Sequence, residues 1–178
     1  MGIEELNQKI QNCQKCKLSK LVYNIYFPKI GYGKLLGNGG KEIFIVAQNP
    51  SIYRVPFQMS AMGVDYELKW KGDYFRKMLR DIEIDTSKIY WTNVVKCSTE
   101  NNIAPSDEIT DICGKWLLLE IDTIKPKKII AMGRIAKEYL LKQKLNISLG
   151  HIWHYAYINK NPHLKDVYIK MILKEFDV

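Results

Sequence analysis

Lys41-Glu-Ile-Phe-Ile-Val-Ala-Gln-Asn-Pro-Ser51 is the stretch on which the reading of the chain turns. Its centre is aromatic, β-branched and uncharged, and it is too short to make a stable helix. A run of this kind reads as a strand buried on both faces, spanning 42–46, as strands are in a parallel sheet. It then breaks into Gln48, Asn49 and Pro50, two amides and a residue that cannot donate to a sheet ladder.

Working outward, the chain alternates. Helical spacing runs from Gly72 to Ile84 through Tyr74, Phe75, Met78, Leu79 and Ile82, and Ile89 to Val95 reads as a second strand. Ser106 to Ile124 opens on Ser-Asp-Glu, a helix start, and places Ile109, Ile112, Cys113, Trp116, Leu117 and Ile121 on one face before Pro126. Lys128 to Met132 reads as strand, Arg134 to Gln143 as helix, Ile152 to Ile158 as a fourth strand, and Leu164 to Glu175 as the last helix. Strands alternating with helices predict an α/β protein: three α/β/α layers around a central, mostly parallel four-stranded sheet. Ligands of such sheets bind beyond the carboxyl ends of the strands, which is where Gln48, Asn49 and Pro50 fall. The glycine-rich segment from Ile30 to Gly40 lacks the strand before and helix after it that a phosphate-binding loop needs, and reads as turns.

The 178 residues are 47% hydrophobic, the expectation for one domain over 1–178 with a core of its own. The net charge of +8 points to a polyanionic partner, nucleic acid first. No apolar run approaches the roughly 18 residues that cross a bilayer, and no secretory signal is visible at the amino terminus. The expectation is a cytoplasmic monomer with no membrane partner.

Cys13 and Cys16 form C-x2-C, and Cys97 and Cys113 form C-x15-C. In a reducing compartment such a set reads as metal or cluster ligands before disulfides. Spacing leaves a tetrathiolate zinc site and an iron–sulfur cluster both open. Either would tie an amino-terminal cysteine hook to the middle of the chain.

Several segments, in order, carry a resemblance: Cys13-x2-Cys16-x-Leu18, the strand ending in a proline turn, Val55-Pro-Phe57, Tyr90-Trp-Thr-Asn-Val-Val-Lys-Cys97, Ile124-Lys-Pro-Lys-Lys-Ile-Ile-Ala-Met-Gly-Arg-Ile-Ala136, Leu149-Gly150 and His154-Tyr-Ala-Tyr157. Together they resemble the uracil-DNA glycosylase superfamily, and the whole looks like its iron–sulfur branch, family 4. The resemblance implies a 4Fe–4S cluster held by Cys13, Cys16, Cys97 and Cys113 in a structural role, and DNA as partner.

It also implies roles for residues around the first strand end. Family 4 resembles G-E-A-P-G there, whereas this chain has Ala47-Gln-Asn-Pro-Ser51. Asn49 falls where other branches carry the Asn of G-x-N-P-G, which implies that it positions the attacking water. Gln48 and Ser51, on either side, are expected on the substrate. Phe57 matches the aromatic on which the flipped base stacks, and Asn93 the amide that reads the pyrimidine edge. His154 matches the histidine that donates to the base O2 as negative charge develops. Two departures accompany it: Tyr155 replaces a usual proline, and Lys160 stands where arginine is common. Lys96, Lys160, Lys165 and Arg134 are expected at phosphates.

The implied activity is that of a monofunctional DNA glycosylase, hydrolysing the N-glycosidic bond of a flipped pyrimidine to leave an abasic site; no lysine is placed for a lyase step. Uracil is the leading base. Ser51 leaves the C5 side open, so a C5-modified pyrimidine, including the bulky bases of viral DNA in an antiviral role, is an alternative. A non-catalytic iron–sulfur DNA-binding module and a zinc-ribbon nucleic-acid protein are the others.

Overall fold

The computed structural model describes residues 1–21, 42–50 and 73–177. The expected site residues Ser51 and Phe57 therefore lie outside the described residues. Four five-residue strands, β1 (Ile43–Ala47), β2 (Ile89–Asn93), β3 (Lys128–Met132) and β4 (Ser148–Ile152), pair in the order β2-β1-β3-β4. Every pairing is parallel, with Ile43 opposite both Ile89 and Lys128, and Met132 opposite Ile152.

Side chains alternate across this sheet as the pleat requires. Phe44, Val46, Tyr90, Ile129 and Ala131 face one way, toward α3 (Asp107–Ile124) and α4 (Arg134–Lys142), where they meet Leu117, Ile121, Tyr139 and Leu140. Ile45, Ala47, Ile89, Trp91, Ile130, Met132 and Ile152 face the other way. There they pack on Phe75, Met78 and Leu79 of α2 (Asp73–Asp81) and on Tyr168, Ile172 and Phe176 of α6 (Lys165–Phe176). Both faces of the central strands are buried, so the expected three-layer α/β/α architecture is what forms.

Local signals fix the helix ends. Ser106 caps α3, its hydroxyl accepting from the Ile109 N–H at 3.4 Å, with Asp107 and Glu108 in the first turn. The turn from β3 into α4 passes through Gly133 at φ +87°, a conformation costly for any residue with a Cβ. A third cluster lies beside the sheet, where α1 (Ile3–Gln11) packs Leu6 and Ile10 against Leu18, Val95, Cys97 and the Ile109, Cys113 and Trp116 face of α3.

The fourth strand departs from expectation. It covers Ser148–Ile152, and Tyr155–Lys160 is a short helix, α5, instead of the tail of a strand. The β-branched and aromatic composition of 152–158 imitates a strand, but pairing with β3 runs out at Met132, opposite Ile152. From there the backbone turns, and Ile158 is buried against the core from a helix.

Candidate active site

Strand order reverses at β1: the chain leaves it for β2 on one side and returns to β3 on the other. The crevice beyond the carboxyl ends at such a reversal is where open α/β sheets take ligands. Asn49 follows β1, Asn93 ends β2, Gly133 follows β3 and His154 lies two residues past β4. With strands spaced about 4.8 Å apart, β1 and β4 are about 10 Å apart across β3. The β1 and β2 extensions stay together beyond the sheet, since Val94 N–H donates to Ala47 O and Val95 N–H to Gln48 O, both at 2.9 Å.

The Asn49 amide is fixed in direction. Thr99 spends its hydroxyl proton on Ile103 O at 2.6 Å, so toward Asn49 it can only accept. Asn49 Nδ2 donates to it at 3.3 Å and to Pro50 O at 3.0 Å, while Oδ1 accepts from Gln48 Nε2 at 2.7 Å. Oδ1 keeps a second lone pair, able to accept from a water and so orient it. Gln48 thus acts on its neighbour's amide. The Pro50 carbonyl, which can only accept, and Thr99, which the sequence reading did not single out, together settle the amide's orientation.

His154 is the N-cap of α5, not a strand residue, and its Nδ1 accepts from the Ala156 N–H at 3.1 Å. A ring nitrogen that accepts carries no proton, so in the neutral ring the proton sits on Nε2. Burial holds the pKa of the ring down, from 6.5 to about 4, so the ring is neutral at physiological pH. Its backbone is anchored by Tyr168, whose hydroxyl donates to Trp153 O at 2.9 Å. Tyr155 stacks on the imidazole with centroids 4.5 Å apart, and is itself stacked on Phe75 at 6.2 Å and edge-on to Trp91 at 6.1 Å. The tyrosine that stands in place of a proline is therefore a buttress, linking the histidine to aromatic rings of α2 and β2. Gly133 lies against the histidine: a Cβ there would sit in ordinary contact with the His154 Cβ at 3.5 Å, so the positive φ, not space, asks for glycine.

Asn93 is buried, 2% exposed, and its Nδ2 meets no hydrogen-bond acceptor among the described residues. An orphaned buried donor is costly in a folded protein and is the state expected of a group that binds something from outside. Beside it the expectation for Lys96 fails. Lys96 is 1% exposed and cannot reach a phosphate; its Nζ pairs with Glu120 of α3, which is fully buried. Burial pushes the Glu120 carboxyl above the ordinary carboxylate range, opposed by the Lys96 charge. Arg134 is exposed and paired with Glu138 at 3.0 Å, and Lys160 and Lys165 are exposed on α5 and α6, the elements that follow His154.

The four cysteines gather in the third cluster, Cys97 and Cys113 buried, Cys13 and Cys16 partly so, none of them in a disulfide. Trp116 Nε1–H donates to Cys13 Sγ at 3.3 Å, and the Lys96 N–H to Cys113 Sγ at 3.2 Å. Burial pushes the Cys113 thiol up to about 11, and the Cys16 and Cys13 sulfurs act in the same direction, which places them within electrostatic reach. The two N–H donors aimed at Cys13 and Cys113 Sγ would stabilise negative charge on those sulfurs. Among the described residues, no three His, Cys, Asp or Glu side chains form a group that could hold a metal ion.

The family comparison bears on the same region. The Uracil DNA glycosylase superfamily matches residues 36–177, most of the chain. The chain belongs to this superfamily. Among its members it is similar to the type-4 uracil-DNA glycosylases of Archaeoglobus fulgidus (29% identical, 78% of this chain, 63% of that protein) and Pyrobaculum aerophilum (29%, 80%, 66%). It is also similar to that of Thermotoga maritima (36%, 80%, 67%). The chain thus spans between three-fifths and two-thirds of the length of these superfamily members. The resemblance to family 4 read from the motifs is borne out. Among the described residues, no helix is long and apolar enough to cross a membrane.

Proposed function

We propose that the protein is a monofunctional uracil-DNA glycosylase, hydrolysing the N-glycosidic bond of a flipped pyrimidine deoxynucleotide. The observation that carries this reading is the pairing, at one strand-end crevice, of a neutral histidine whose only proton is on Nε2 with an asparagine whose Oδ1 is left to accept. Bond breakage puts negative charge on the departing base and positive charge on the sugar. A neutral Nε2–H donor stabilises the first without having to give up a proton. Asn49 Oδ1 orients a water at the second; an amide is a poor base, but an electrophilic sugar carbon asks mainly for position.

Asn93 supplies the buried donor for the O4 edge of uracil, and Phe57 the stacking face that holds the base outside the duplex. A serine at position 51 carries no bulky ring that would exclude a C5 substituent, so C5-modified pyrimidines, including those of viral DNA, are within the reading. Cys13, Cys16, Cys97 and Cys113 would hold a 4Fe–4S cluster. Bound there, it would supply a cross-link between hook and α3 in a structural role. Lys160 and Lys165, exposed on the elements that follow His154, would contact the DNA backbone.

The test is excision from oligonucleotides carrying uracil, 5-hydroxymethyluracil or a hydroxymethylated cytosine, in single and double strands, by wild type and Asn49→Ala. Wild type is expected to release uracil and leave alkali-labile sites, and Asn49→Ala to be slower by about 10²-fold with DNA affinity unchanged. Equal rates for the two proteins would remove Asn49 from the chemistry.

A further inference from the structure

Within the sheet-to-α3 layer sits a charged group that the proposed chemistry leaves unused. Lys96 Nζ has three protons and three acceptors: Thr92 Oγ1 at 2.7 Å, Asn93 O at 2.6 Å and the Glu120 carboxylate. Thr92 in turn donates to Glu120, at 2.9 Å to Oε2. Thr92 and Glu120 are fully buried and Lys96 is 1% exposed, so no solvent completes the set. Two charges taken out of water are weak evidence for stability, because apolar residues of similar size commonly do as well. Their arrangement therefore calls for another reason.

That reason lies at Asn93. The β1–β2 register ends at Ala47 opposite Asn93, and the chain then leaves the sheet. The Asn93 carbonyl is at that departure point, and Lys96 Nζ holds it by a charge-assisted bond. The side chain of the same residue carries the orphaned Nδ2. Lys96 is also fixed at its own backbone, whose N–H donates to Cys113 Sγ, and it precedes Cys97. One residue joins the cysteine cluster to the strand end that reads the base.

We propose that Lys96, with Glu120 and Thr92, is a positioning unit that fixes the Asn93 peptide and thereby the direction of its side-chain amide toward the pyrimidine edge. This inference rests on the glycosylase reading above and deepens it. Uracil and cytosine differ at that edge in which groups donate and which accept, so an amide free to reorient discriminates poorly between them. The network makes the difference between an amide near the base and an amide held in the uracil-reading direction.

Lys96→Met alone strands a buried carboxylate and is a poor test. Lys96→Met/Glu120→Gln removes both charges at nearly constant volume. Three readouts are compared with wild type: the melting midpoint, affinity for a duplex containing a tetrahydrofuran abasic analogue, and the ratio of kcat/KM for uracil over cytosine. The expected result is a midpoint and abasic-site affinity close to wild type, with the uracil:cytosine ratio down by about 10-fold or more, mostly through uracil. An unchanged ratio overturns the inference while leaving the glycosylase reading intact. A double variant that melts far below wild type assigns the network to stability and also overturns it. Wild type that excises no uracil sinks the glycosylase reading, and the positioning role with it.

Discussion

His154 is expected to titrate far below an ordinary histidine, with consequences for both stability and rate. Its ring pKa falls from 6.5 in the unfolded chain to about 4 in the fold. Between those values the unfolded chain binds a proton that the folded one does not, so stability falls as pH falls. It is fully present above pH 6.5 and lost progressively down to about pH 4. The difference of about 2.5 pH units, at about 1.36 kcal/mol per unit, sets an upper limit of about 3 kcal/mol. Protonation also breaks the bond from the Ala156 N–H, since a protonated Nδ1 cannot accept, and places a positive charge at the start of α5. The assay is urea unfolding of wild type and His154→Gln from pH 8 to pH 4, taking the difference between the two so that other carboxylates cancel. The difference should narrow steadily below pH 6.5. Single-turnover excision should stay level to about pH 5, because the donor on Nε2 remains neutral. A rate that halves near pH 6.5, or an NMR titration of the His154 ring centred there, would refute the argument.

Other outcomes follow from the same geometry. Cys97→Ser is expected to bleach iron–sulfur absorbance near 400 nm, at roughly that wavelength for thiolate-bound clusters, and to lower the melting midpoint; purified wild type holding zinc and no iron contradicts it. Gly114→Ala should destabilise by about 1–3 kcal/mol in denaturant unfolding, because the new methyl would fall inside the Tyr139 ring where α3 crosses α4. An unchanged midpoint would mean that the ring moves aside without cost. Ser106→Ala should remove about 1 kcal/mol by loss of the α3 cap, read in the same assay.

Much of the sheet was legible because its code is local. The β3 run Lys128–Met132 and the helix that Ser106 caps appear where periodicity and capping place them. The first helix was missed in the sequence, although Ile3, Leu6 and Ile10 stand at helical spacing, and its amphipathic face is what meets the cysteine hook. Beyond β4 the sequence misled, since where a parallel strand stops depends on its neighbour's end and not on its own β-forming composition. Lys96 misled for a related reason. A lysine in a basic chain reads as a phosphate contact, and only the fold brings it to Glu120, in another element. The candidate site was legible as residue types, Asn49, Asn93 and His154, but not as chemistry. The direction of the Asn49 amide depends on the Pro50 carbonyl and Thr99, and the tautomer of His154 on the Ala156 N–H.

The central claim, that the crevice at the ends of β1, β2 and β4 breaks a glycosidic bond, is tested most directly by quantifying free uracil released from a uracil-containing oligonucleotide under single-turnover conditions. Wild type should release stoichiometric uracil, while His154→Ala should be slower by about 10²-fold or more at equal DNA binding. Release at the same rate by both proteins, or DNA binding without any release by wild type, would contradict it.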